Sequence, residues 1–255
     1  MQARNLLLLL CLIAVTLHFS DWPQIQMSNQ VLTPPSIVHW LGTDSLGQDV
    51  WLRLLEALPN TLLIALACGL LPLLIGLLLA TLSRFGGSLI DRILLKITDI
   101  LLLIPNVLPL MILAALLEPS LSTVIVLISL LSWQDDFRVL RAAIKRQLLS
   151  DAVLYAQSFS AGAMYLLRRH IWPPLSPLMV VLFLQNARRA VMLSAALAFL
   201  GLTDPRLPSW GGLLLDAQEQ IHNPAFWWLL PGPLLAMTGL ILLLNSSNST
   251  QDPVF

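Results

Sequence analysis

Long apolar blocks limit what this chain can fold into more than any other feature does. A helix needs roughly 20 mostly apolar residues to cross a hydrocarbon core about 30 Å thick. Blocks of that kind recur at 5–20, 60–83, 93–117, 120–140, 174–200 and 226–245. They are continuous runs, not the amphipathic stripes of helices packed around a water-soluble core. Only 11% of the 255 residues are charged, where a soluble domain carries roughly a quarter. The bilayer is therefore the solvent, and the expectation is an all-α integral membrane protein of six transmembrane helices. The first block has about 14 apolar residues, short for a span. No small-x-small cleavage site follows it, so it reads as an uncleaved first helix over 1–20. Pro105 and Pro109 predict a kink in the third block.

Basic residues orient the chain. Arg4, Arg84, Arg92, Lys96, Arg138, Arg141, Lys145, Arg146, Arg168 and Arg169 fall on one side, and only Arg53 and Arg206 on the other. Positive residues collect in the cytoplasm, so both termini and the 141–172 loop are expected there. The remaining divisions are an outer segment at 21–59, a five-helix core at 60–245, an outer loop at 202–225 and a short cytoplasmic tail at 246–255.

Several functional classes find no support. The formal net charge is zero, which leaves no footprint for a nucleic acid. There is no G-x-x-x-x-G-K-[ST], so nothing cradles a nucleotide's phosphates. His18, His39, His170 and His222 lie near span ends without G-x-S-x-G or H-E-x-x-H. No catalytic set and no metal site is expected. Cys11 and Cys68 lie in apolar runs and read as small buried thiols. A stand-alone secondary transporter would show inverted repeats and interrupted helices, and neither is evident.

The polar islands between the blocks carry the specific signal. In His39–Val50, Gly42 and Gly47 permit tight turns, and Asp44 and Asp49 are placed to cap the next helix. Gly86-Gly87, Asp91, Asp99 and Pro105 follow, with Asp99 three residues after Lys96 and suited to pair with it. Leu154–Gly162 and His170-Ile-Trp-Pro173 form a cytoplasmic element with small residues at its tip. Ala195–Leu202, Pro208-Ser-Trp-Gly211 and Leu230-Pro-Gly232 surround the last outer loop.

In this order the islands resemble the inner-membrane permeases of binding-protein-dependent ABC importers for dipeptides, oligopeptides and nickel. The likeness is closest to the second permease subunit of such systems. It spans about His39 to Trp228, with Leu154, Ser160, Ser194 and Gln48 standing where other residues are usual. The resemblance implies a type I ABC importer permease fold and a non-catalytic subunit. It also implies a second homologous permease, two cytoplasmic ATPase subunits that bind the ATP and Mg, and an extracytoplasmic substrate-binding protein. This chain would bind no cofactor itself. Leu154, Ala156, Ser160, Ala161, Gly162, His170 and Pro173 would form the ATPase-coupling loop. Gly42, Thr43, Asp44, Asp49, Trp210 and Gly211 would meet the binding protein. The cargo would be a peptide, nickel or a nickel chelate. The rival readings are a degenerate, non-transporting homologue and a stand-alone secondary transporter.

Gln185, Arg188 and Arg189 lie on one face of the fifth block, where small residues are usual in that family. Arg188 is about 21 Å along the helix from Pro174, inside the hydrocarbon region. Arginines there face a water-filled path or a partner acid. With Ser194 they are candidates for the substrate path, and Asp135 and Asp136 are the candidate partners for a structural pairing instead. On a continuous fourth span, those acids would lie about 13 Å nearer the cytoplasm.

Overall fold

The computed structural model describes residues 28–246. The expected first helix (5–20) and the 247–255 portion of the tail lie outside the described residues. What is described is helical around one long element, α1 (Val50–Phe85). Its 36 residues make a rod about 54 Å long, longer than a membrane is thick. The helix starts ten residues before the expected span because Asp49 caps it, accepting from the Trp51 and Leu52 amides. The helix therefore begins within the expected outer segment (21–59) and not after it.

The third block breaks as its prolines require. Helix α2 (Ser88–Leu103) and α3 (Val107–Leu116) meet at 84° across Ile104-Pro105-Asn106. The fourth block also divides, which its apolar pattern did not foretell. An apolar α4 (Leu121–Leu130) ends in a turn at Leu131-Ser132, and an amphipathic α5 (Trp133–Leu148) begins there. Asp135 and Asp136 occupy the first turn of α5, where carboxylates complement the helix dipole.

The 141–172 stretch is mostly helical. After α5 come α6 (Asp151–Ser158), a short α7 (Ala163–Leu166) and a π-helical turn at Leu167–Ile171. These lead directly into α8 (Trp172–Phe199). The outer loop carries α9 (Trp210–Glu219), and the last span is α10 (Phe226–Leu229) followed by α11 (Pro231–Ser246). Among the described residues, Val50–Phe85, Met164–Phe199 and Phe226–Ser246 are each long and apolar enough to cross a membrane. The α2–α3 pair adds a fourth crossing if it is taken as one broken span.

Helix α1 is the post against which α5 and α8 pack. Two glycines set the distances. A Cβ on Gly69 would lie 2.8 Å from the Phe183 ring, and one on Gly76 would lie 2.8 Å from Asp136 Cβ. The outer half of the core joins Leu54, Leu58 and Leu62 of α1 to Leu184 and Val191 of α8, with Trp210 and Leu240. The inner half joins Leu73 and Ala80 to Phe137, Leu140 and Ile144 of α5, with Val153 and Ile171. A third cluster fastens α3 and α4 to α1 and α8 through Ile64, Leu110, Ile128 and Leu197.

Candidate functional site

Three polar regions lie at successive depths. On the outer side, Asp44 is 2% exposed and fully engaged. Its Oδ1 accepts from the Leu46 and Gln48 amides, both at 2.8 Å, and its Oδ2 takes Arg53 Nη1 at 2.6 Å. The same Nη1 reaches Asp216 of α9 at 2.7 Å. Asp49 accepts from α1 through Oδ1 and pairs with His39 Nδ1 through Oδ2 at 2.7 Å. Gly47 has φ +72°, and a Cβ there would lie 2.1 Å from the Ser28 carbonyl oxygen. Gly42, at φ +75°, is closed in by Thr33 and Trp228.

Trp210 is buried and donates through Nε1 to the Leu54 carbonyl at 3.0 Å. Gly211 meets α8 so closely that a Cβ would lie 2.6 Å from Ala195 Cα. Asp44, Trp210 and Gly211 thus hold the outer segment and outer loop onto α1 and α8 from within, while buried Thr43 bonds Thr33 and Gln30 inside the segment. The surface they leave exposed belongs to neighbours such as Ile37, Val38, Trp40 and Trp51, the two indoles 5.9 Å apart.

The middle region gathers at the start of α5. Asn186 Nδ2 donates to Asp136 Oδ2 at 2.6 Å, both residues being buried. Arg189 Nη1 meets Asp135 Oδ2 at 2.5 Å, with 34% and 41% of the two side chains exposed. The depth gap expected between those acids and the arginines does not exist, because the turn at Leu131-Ser132 restarts the helix beside α8. Arg188 points to the other flank and donates to Asn245 of α11. Gln185 is exposed on the same side of α8. Ser194 is apart from these three: it is buried, donates to the Val191 carbonyl and lines a small cavity of about 30 Å³ with Asn60, Ser120 and Pro208.

Further along its length α5 is tied to α2. Asp99 takes Arg138 of α5, not Lys96 of its own helix. Arg141 grips Asp91 with two parallel bonds of 2.6 Å, and Ser83 of α1 donates to the same carboxylate. Bidentate pairs of this kind fix geometry as well as charge. Asp91 was identified by motif alone; its partner is 50 residues away and left no local signal.

The expected coupling element follows. Helix α6 is anchored by the buried Val153, and Ala156 and Ala161 pack on the inner core. Leu154, Tyr155 and Phe159 stand exposed, Phe159 by 86%. Ser160 turns the chain at φ +58°. Gly162 is exposed, with nothing within 4 Å of a notional Cβ. His170 stacks edge-on against Tyr165 at 5.7 Å, and Pro173 sits in the first turn of α8, where a missing amide costs nothing.

Comparison with known proteins converges on one family. The sequence model described as "Binding-protein-dependent transport system inner membrane component" matches residues 72–249, more than half of the chain. A protein of Brucella suis biovar 1 named "putative peptide permease protein" is 34% identical over 211 residues, covering 82% of this chain and 70% of that protein. A Brucella ovis protein of the same name is 33% identical over the same extent. In fold, the chain resembles one from the inward-facing MetNI methionine ABC transporter, with a TM-score of 0.64 at 16% identity. That alignment covers 78% of this chain and 94% of the other.

Proposed function

Because this chain belongs to the family of binding-protein-dependent transport system inner membrane components, we propose that it passes peptides across the inner membrane. It is a permease subunit of an ABC importer, and it works with ATPase and substrate-binding partners. The observation that carries the cargo is the relatives' shared description as peptide permeases. A nickel chelate is the lesser alternative.

In this reading the chain has six spans, with residues 5–20 as the first and both termini cytoplasmic. It pairs with a second homologous permease and two ATPases, and those ATPases hold the ATP and Mg. Exposed Leu154, Tyr155 and Phe159, with the open position at Gly162, form the knob that seats in an ATPase cleft. The outer surface held in place by Asp44, Asp49, Trp210 and Gly211 receives the binding protein. Gln185, Arg188 and Arg189 face the path.

Force from the ATPases enters at α6 and reaches the core through α5. That helix is bound by polar side chains to α1, α2 and α8. The test is reconstitution of the chain with its second permease, ATPases and binding protein in proteoliposomes. Peptide uptake should require ATP and the binding protein, and the purified chain alone should hydrolyse no ATP. Hydrolysis by the isolated chain, or uptake without ATPases, would refute the proposal and favour a stand-alone transporter.

A further inference from the structure

We infer that Arg188 is the one uncompensated charge on the cargo path, and that it selects cargo bearing a free carboxylate, such as the C-terminus of a peptide. The inference rests on the permease reading above and adds the residue and the chemistry it recognises.

Helix α8 shows a seam with helical spacing: exposed Gln185, half-buried Arg188 and Arg189, then exposed Met192, Ala196 and Phe199. Arg188 is about 24 Å from the start of α8 and about 17 Å from its end, so the polar half of the seam lies within the membrane's thickness. The Arg189–Asp135 pair is a third or more exposed there. An exposed ion pair at that depth is untenable against hydrocarbon and requires a wet or polar surrounding. The two arginines differ in what neutralises them. Arg189 carries Asp135 at 2.5 Å and contributes no net charge. Arg188 donates to the amide oxygen of Asn245, an uncharged partner, and no carboxylate among the described residues lies within ion-pair distance of it. The seam is flanked by α5 on one side and α11 on the other. It therefore presents one fixed positive charge beside neutral hydrogen-bonding groups. In a confined, low-dielectric passage such a charge attracts anionic groups and repels free divalent cations.

The experiment uses the full complex in proteoliposomes, with Cys68 and Cys11 replaced by alanine where thiol chemistry is needed. Uptake of a labelled dipeptide and of a nickel–carboxylate chelate is measured for wild type, Arg188→Gln and Arg188→Lys, alongside binding-protein-stimulated ATP hydrolysis and membrane abundance. Arg188→Gln should lower uptake of the delivered carboxylate cargo about tenfold while stimulated hydrolysis and abundance hold. Arg188→Lys should restore most of the uptake, and whichever cargo is carried identifies the source of the carboxylate. Arg188→Cys should react with a membrane-impermeant, water-soluble thiol reagent, and cargo should slow that reaction. Wild-type uptake by Arg188→Gln overturns the inference, as does a fall in its abundance, which would make Arg188 an anchor for Asn245. An unreactive Arg188→Cys also overturns it, because the seam would then be sealed against the second permease. If the wild-type complex shows no stimulated hydrolysis, the permease reading itself falls, and this inference with it.

Discussion

The outer segment and the 154–162 knob are both motif-bearing islands in an apolar chain, yet their motif residues are placed in opposite ways. Outside, Thr43, Asp44 and Trp210 are buried, and each polar atom named above has its partner within the chain. Inside, Leu154, Tyr155 and Phe159 are exposed and Gly162 is open. The first set acts by shaping a surface made of other residues; the second set is the surface. Burial, not the motif match, decides which kind of role a residue holds, and substitutions in the two islands should fail differently.

The largest effect is expected from Asp44→Ala. It removes two hydrogen bonds from the Leu46 and Gln48 N–H groups and leaves Arg53 with Asp216 alone, a loss of about 4 kcal/mol of folding stability. Thermal unfolding in detergent should report it, and wild-type stability would show that the outer island is not held from within. Gly162→Asp should do the reverse, leaving unfolding unchanged and reducing ATP-coupled uptake about 100-fold (~3 kcal/mol) by burying a charge in the ATPase contact. Normal uptake by this variant would remove the knob from the coupling path. Trp210→Phe keeps one aromatic ring but loses the indole N–H bond to the Leu54 carbonyl and the volume of the fused ring, and should cost about 2 kcal/mol in the same unfolding assay. The smallest change is Leu154→Glu, at an exposed position, which should move stability by less than about 0.5 kcal/mol. Its effect should appear only in the affinity for the ATPase subunits, measured by co-purification.

What was legible in the sequence was chemistry that acts locally. The helical blocks, the break at Pro105 and the cap at Asp49 each depend on a few adjacent residues. The division of 120–140 was not legible, because Leu131 and Ser132 carry no breaker and the apolar run continues through Trp133. That single miss misplaced Asp135 and Asp136 in depth, so the pairing with Arg189 stood only as one of two alternatives and Asn186 was not foreseen as a partner. Partner choice across helices was likewise out of view. Asp99 had Lys96 one turn away but takes Arg138, 39 residues on, since packing of α2 on α5 outweighs local spacing. Asp44 and Trp210 were identified as residues that matter, but their burial depends on chain segments up to 156 residues apart.

The ties made by α5 also carry an order in time. As the chain is synthesised, Arg138 and Arg141 emerge after Asp99 and Asp91, so both find their carboxylates already in place. Asp135 and Asp136 have no such welcome. Their partners Arg189 and Asn186 are 54 and 50 residues still to come. The end of α5 at Arg138 and Arg141 can therefore be moored as soon as it is made, while the end at Asp135 and Asp136 waits with two unmatched acids. Through that interval they must sit in water or in the insertion machinery, and the arrival of α8 is what gives them their partners.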